Sequence, residues 1–113
     1  MRVERPWGWY EELTHGPNYK VKRLLVRAGC QLSLQRHRHR SESWTVVAGS
    51  GDLLCGEQWL TAHTGLMLTI PCGVLHRARA GDQNLIILEV QHGIDLREDD
   101  IERLQDDYGR VIT

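Results

Sequence analysis

Gln35-Arg36-His37-Arg38-His39-Arg40-Ser41-Glu42 places an amide, two imidazoles and a carboxylate in one short run. On a β-strand, residues two apart point to the same face, so Gln35 and His37 point together, with Ser33 and, if the strand continues, His39. Glu42 follows after a turn and opens the next strand. Much later, Pro71-Cys72-Gly73-Val74-Leu75-His76 sets a Pro-x-Gly turn just before an imidazole. Gln35, His37, Glu42 and His76 belong to three separate strands. A barrel can bring the inward side chains of such strands together.

The surrounding sequence fits that picture. Tyr19 to Arg27 reads as a strand ended by Ala28-Gly29, and Gln31 to His37 alternates as the next. Ser43 to Ala48 is rich in β-branched residues and stops at Gly49-Ser50-Gly51-Asp52. Leu53-Leu54-Cys55 and Gln58-Trp59-Leu60 flank Gly56-Glu57, a tight hairpin turn. Leu66 to Ile70 ends at Pro71, Leu75 to Ala80 ends at Gly81-Asp82, and Asn84 to Gln91 is a strongly apolar strand. Many short strands broken by glycine predict an all-β fold, an antiparallel barrel or sandwich. The last segment reads differently. Asp95-Leu96-Arg97-Glu98 has the form of a capping box, and Ile101, Leu104 and Tyr108 fall at helical spacing, so a short C-terminal helix is expected there.

Composition narrows the function classes. The 113 residues predict a single domain over 1–113. A formal net charge of -1 argues against a nucleic-acid or polybasic membrane partner. No apolar run approaches a bilayer span, and Met1 to Pro6 lacks a signal-peptide core, so a cytoplasmic protein is expected. Cys30, Cys55 and Cys72 are odd in number and scattered, which fits reduced thiols better than a disulfide scaffold. A small barrel has open sheet edges, and pairing them across a two-fold axis would cover them, so a homodimer is expected.

Two imidazoles, a carboxylate and an amide oxygen form a mixed nitrogen and oxygen donor set. One divalent metal ion is therefore the expected cofactor. Zn, Mn, Co, Ni and Fe all suit those donors.

The two stretches resemble the paired motifs of the cupin superfamily. Gly29, Gln35, His37, Glu42 and Gly49 fall at the spacings of the first motif, with Gln35 in place of its first histidine. Gly65, Pro71, Gly73 and His76 match the second, with Ala80 where asparagine is usual. The expected fold is therefore the cupin double-stranded β-helix, a jelly-roll barrel. A narrower resemblance covers nearly the whole chain. Arg5-Pro6-Trp7-Gly8-Trp9-Tyr10-Glu11, Tyr19-Lys20-Val21-Lys22-Arg23, His39-Arg40-Ser41-Glu42-Ser43-Trp44, Glu89-Val90-Gln91, Glu98-Asp99-Asp100-Ile101 and Asp107-Tyr108-Gly109-Arg110 are similar to one family. It is the C-terminal isomerase domain of type II mannose-6-phosphate isomerase/mannose-1-phosphate guanylyltransferase. That family's metal set of Gln, His, Glu and His makes Gln35 a ligand candidate; spacing alone would leave it a substitution. Ser43 stands where the family usually has histidine, and Arg38 where it often has a third.

The resemblance implies interconversion of mannose 6-phosphate and fructose 6-phosphate, in nucleotide-sugar and polysaccharide precursor synthesis. Guanylyl transfer is not implied for these residues. Such an isomerase needs a base near the sugar carbons, charge for the enediolate oxygens and an anchor for phosphate. Arg40, next to the ligand cluster, is the first candidate for substrate contact, followed by Lys22, Arg23 and Arg77. Glu89 and Gln91 share a strand face; Glu89 is the candidate base if that face turns inward. His39 is the alternative proton carrier. Two other readings compete: a sugar- or sugar-nucleotide-binding cupin without catalysis that partners a separate nucleotidyltransferase, and a different cupin enzyme such as an iron oxygenase.

Overall fold

A computed structural model describes residues 1–109; Arg110, the last residue of the motif beginning at Asp107, lies outside the described residues. Most of the period-2 patterning becomes strand, but the run expected over Gln31 to His37 does so only at Leu34–Arg36. In chain order the strands are β1 (Arg2–Arg5), β2 (Gly8–Gly16), β3 (Tyr19–Val26), β4 (Leu34–Arg36), β5 (Ser41–Ala48), β6 (Gly51–Cys55), β7 (Gln58–Ala62), β8 (Met67–Ile70), β9 (His76–Ala80), β10 (Leu85–His92) and β11 (Glu102–Gln105). One antiparallel sheet runs β1-β2-β3-β10-β5-β8 and the other β11-β4-β9-β6-β7. The two sheets share one apolar core, to which Val26, Val46, Ile70, Leu85 and Ile87 come from the first and Leu53, Ala62, Ala78 and Ala80 from the second.

The inward faces change character along the strands. On β10 the inward residues run Leu85, Ile87, Glu89, Gln91; on β5 they run Val46, Trp44, Glu42; on β3 they run Val26, Leu24, Lys22. Register aligns these series: Ile87 pairs with Val46 and Leu24, and Glu89 with Trp44 and Lys22. In the second sheet β9 runs Ala80, Ala78, His76 in the same sense. One end of the barrel is therefore a sealed apolar plug, which supplies most of the hydrophobic stabilisation. The other end collects the buried polar groups. Two features position them. Gly73 (φ +78°) sits in the turn closed by Val74 N–H to the Pro71 carbonyl, and its own N–H donates to the His37 carbonyl at 2.7 Å. Positive φ there favours glycine. Gln35 of β4 lies directly opposite His76 of β9.

The expected C-terminal helix does not form. Residues 93–101 cross the open end of the barrel as an irregular strap, and 102–105 add β11 to the edge of β4. A helix would commit the strap's carbonyls to its own N–H groups. Here tertiary partners take them instead. The Leu96 carbonyl accepts from Lys20 Nζ, the Arg97 carbonyl from Arg40 Nη1 and the Asp100 carbonyl from His37 Nδ1. Asp95, read as a cap, pairs with Arg97 through two hydrogen bonds of 3.0 Å. The N-terminal hairpin β1–β2 is the other element that sequence periodicity did not give.

Candidate metal centre and cavity

His37, Glu42 and His76 are all buried, and one ligand atom from each lies within 4.8 Å of the others. Each histidine is fixed from behind. His37 Nδ1 donates to the Asp100 carbonyl at 2.6 Å, and His76 Nδ1 to the Val74 carbonyl at 3.0 Å. A carbonyl only accepts, so both Nδ1 atoms carry the proton and both Nε2 atoms present lone pairs. Those lone pairs face the Glu42 carboxylate, at 3.2 Å from His37 and 3.6 Å from His76. Three converging donors in a buried space call for a cation, so the residues present fit a metal. Gln35 lines the same cavity, its amide Nε2 3.3 Å from Ser33 Oγ.

Arg40 binds into this cluster. Its Nε donates to Glu42 Oε2 at 2.9 Å and its Nη2 to His37 Nε2 at 3.3 Å. Burial alone would raise the Glu42 carboxyl, but the positive charge packed around it, Arg40 included, outweighs burial and holds it far below the usual range. Glu89 shows the opposite balance. Burial, then the neighbouring Glu42 charge, push it up to about 8. Burial likewise lowers the His76 imidazole.

The cavity is about 120 Å³ and is lined by Lys22, Gln35, Arg40, Glu42, His76, Glu89 and Gln91 among others. The face carrying Glu89 and Gln91 thus points inward, the condition set for Glu89 as a base. Gln91 Nε2 donates to Glu89 Oε2 at 2.9 Å. Lys22 is almost fully buried, sits 4.2 Å from the Tyr10 ring centroid and pairs with Glu98 of the strap.

Three of the sequence candidates lie elsewhere. Arg23 is on the opposite face of β3 from Lys22 and pairs with Glu11. Arg77 is buried, but its guanidinium holds the Leu32 carbonyl and Gln105 rather than the cavity. His39 is exposed, with its main-chain N–H on Asp100. Conversely, Trp7, Tyr10, Glu98, Ile101 and Arg103 line the cavity and had no role assigned to them. Four of them stood in runs that carried family resemblance, Trp7 and Tyr10 in Arg5 to Glu11 and Glu98 and Ile101 in Glu98 to Ile101, which was the available signal. Ser43 faces outward, with its hydroxyl 3.2 Å from His92 Nε2. Ala80 is part of the apolar plug.

Fold and site together define a cupin-type barrel. Solved structures agree on the fold: a cupin-2 domain protein of Rhodospirillum rubrum, Rru_A2000, superposes with a TM-score of 0.74 at 20% identity over 88% of this chain and 76% of that one. KdgF from Halomonas gives a TM-score of 0.78 at 15% identity over 88% and 91%. The family described as mannose-6-phosphate isomerase C-terminal matches residues 1–106, and the chain belongs to that family. Among its relatives, the xanthan biosynthesis protein XanB of Xanthomonas campestris is 44% identical over 97% of this chain and 24% of its own length. The alginate biosynthesis protein AlgA of Pseudomonas aeruginosa is 44% identical over 96% and 23%. The mannose-1-phosphate guanylyltransferase ManC of Salmonella typhimurium is 40% identical over 96% and 23%. The chain thus spans about a quarter of the length of these relatives. No helix among the described residues is long and apolar enough to cross a membrane.

Proposed function

We propose that this domain is a metal-dependent aldose–ketose isomerase that interconverts mannose 6-phosphate and fructose 6-phosphate in the supply of nucleotide-sugar precursors. The observation that carries the reading is the pair of Nε2 lone pairs aimed at Glu42 beside a buried carboxyl, Glu89, of raised pKa. A divalent cation held by Gln35, His37, Glu42 and His76 would supply Lewis acidity toward the sugar oxygens. Its identity among Zn, Mn, Co, Ni and Fe is left open by the donor set.

The chain's own residues supply the rest. In the open-chain sugar, deprotonated Glu89 takes the proton from C2, and the C–H electron pair forms the C1–C2 double bond of an enediolate. The C1 carbonyl pair moves onto O1 in that step. Returning the proton to C1 while the O2 hydroxyl proton passes to O1 turns C2–O2 into the carbonyl and leaves the ketose. A carboxyl titrating near 8 is matched to such transfer at neutral pH. Arg40 holds Glu42 and His37 in place and adds positive charge beside the enediolate. Lys22 is the anchor for the phosphate, in the place that the Glu98 carboxylate now takes. Gln91 orients Glu89. Arg23, Arg77 and His39 have no part in this reading.

The test is to load purified protein with each divalent metal, add mannose 6-phosphate and follow fructose 6-phosphate. Turnover with at least one metal is expected. Ligand-induced stabilisation without turnover would replace the isomerase with a sugar-binding module. Neither binding nor turnover would reject both. We further propose a homodimer through the free edges of the two sheets, β1 or β8 and β11 or β7, with twice the chain mass expected in light scattering. A monomer mass at working concentration would remove it.

A further inference from the structure

One residue of the strap reaches the candidate metal centre from more than 60 positions away in the chain. Asp100 offers three acceptors to three consecutive residues far back in the chain. Its carbonyl takes His37 Nδ1 at 2.6 Å, its Oδ1 takes the Arg38 N–H at 2.9 Å, and its Oδ2 takes the His39 N–H at 2.9 Å. Two strap bonds shape Asp100 for this: its own N–H reaches the Arg97 carbonyl at 3.2 Å, and the Ile101 N–H reaches Asp99 at 2.9 Å. From the other side Gly73 N–H holds the His37 carbonyl. His37 is thus pinned on its ring and its main chain by two separate loops. His76 differs, because its Nδ1 partner is Val74, two residues away in its own turn.

We propose that Asp100 is a positioning residue for the metal centre: by clamping residues 37–39 it fixes the His37 tautomer and aims Nε2 at Glu42 and His76. The inference rests on His37 being a metal ligand. It also couples the strap to the metal. Linkage is reciprocal, so a docked strap tightens metal binding and bound metal holds the strap down. Loss of a group that orients a ligand histidine costs metal affinity about 10–100-fold.

The experiment compares wild type, Asp100→Ala, Asp100→Asn and, as a control, Asp99→Ala, whose side chain is exposed and only 3.9 Å from Arg97. Zn²⁺ and Co²⁺ affinities are measured by chelator competition. The tautomer of each histidine in the metal-free proteins is read from long-range ¹H–¹⁵N spectra. Asp100→Ala should lose about 10–100-fold in affinity and mix the His37 tautomers, while His76 stays Nδ1-protonated and Asp99→Ala matches wild type. Asp100→Asn, with one side-chain acceptor kept, should fall between and stands in should the alanine variant not fold. Wild-type affinity and a pure His37 tautomer in the Asp100 variants would overturn the proposal. Should wild type itself bind neither ion, the metal reading fails on its own, and the His37 tautomer still decides the role of Asp100.

Discussion

Glu42 and Glu89 meet at a single N–H: the Trp44 indole Nε1 lies 3.1 Å from Glu42 Oε1 and 3.0 Å from Glu89 Oε1. The two buried carboxyls that share this donor nonetheless diverge, because positive charge packs around Glu42 while burial and the Glu42 charge act on Glu89. Glu42 keeps its charge against Arg40, and Glu89 is pushed toward the neutral acid. Trp44 itself is wedged edge-on to His76, with ring centroids 5.5 Å apart. Trp44→Phe keeps most of the packing and removes that donor. It should cost about 1–3 kcal/mol in denaturant unfolding, because buried acceptors lose their partner. An unchanged midpoint would show that the shared N–H is not holding the pair.

The raised Glu89 carboxyl gives a signed pH dependence. A group protonated more readily in the fold than in the unfolded chain stabilises fully below its unfolded value of 4.5. That contribution is lost as pH rises through its folded value of about 8. Metal-free protein should therefore lose stability from pH 7 to about 8 and then level off. The lowered His76 imidazole is neutral in the fold and titrates in the unfolded chain mostly below pH 7, so it adds only a small slope of the opposite sign. Glu89→Gln should flatten the curve in urea titrations at pH 7, 8 and 9. A variant slope equal to wild type would remove Glu89 as its source.

Glu98 on Lys22 predicts competition between the strap and an incoming phosphate. The cavity of about 120 Å³ carries this ion pair at its mouth, where a phosphate on Lys22 would have to displace the Glu98 carboxylate. Glu98→Gln should lower KM for mannose 6-phosphate several-fold with kcat little changed, since it removes a rival anion from the mouth. Lys22→Met should raise KM at least 10-fold. Steady-state kinetics of both variants check this, and equal KM values in all three proteins would contradict the assignment.

The departures from the family pattern should prove mild. Ser43 lies on the outer face of β5, beside His92, so Ser43→His restores the family residue without touching the cavity. Metal content and kcat should stay within about twofold of wild type, as expected for a surface substitution. A large gain in activity would mean that the outer face acts on the site. Arg23→Ala, on the outer face of β3, should be equally silent in kcat/KM.

What could be read in advance follows the physics of each signal. The Gln35–Glu42 run and the Pro71–His76 turn were legible because strand alternation and turn chemistry are local, and the structure does bring their His37, Glu42 and His76 together. The family resemblance added Gln35 as a ligand candidate. The inward turn of Glu89 was legible only as a condition, since one strand face cannot be assigned without its neighbours. Arg23 and Arg77 misled because basic side chains near a site look alike in sequence, while Arg23 turns outward to Glu11 and Arg77, on the face of β9 away from His76, holds the Leu32 carbonyl. The strap failed most clearly. Its Asp95-to-Glu98 signal is a sound local rule, but Lys20, His37 and Arg40 compete for its carbonyls from far away. The β1–β2 hairpin was hidden for a similar reason, with Trp7 and Trp9 buried by tertiary packing and the outer residues mixed in polarity.

Metal stoichiometry and affinity test the central claim most directly. Wild type, His37→Ala and His76→Ala are stripped with chelator, dialysed against Zn²⁺ or Co²⁺ and analysed for bound metal by mass spectrometry and titration calorimetry. One ion per wild-type chain is expected, with binding lost or weakened at least 100-fold in both variants while each remains folded by circular dichroism. Wild-type metal content in folded His37→Ala and His76→Ala proteins would contradict the account.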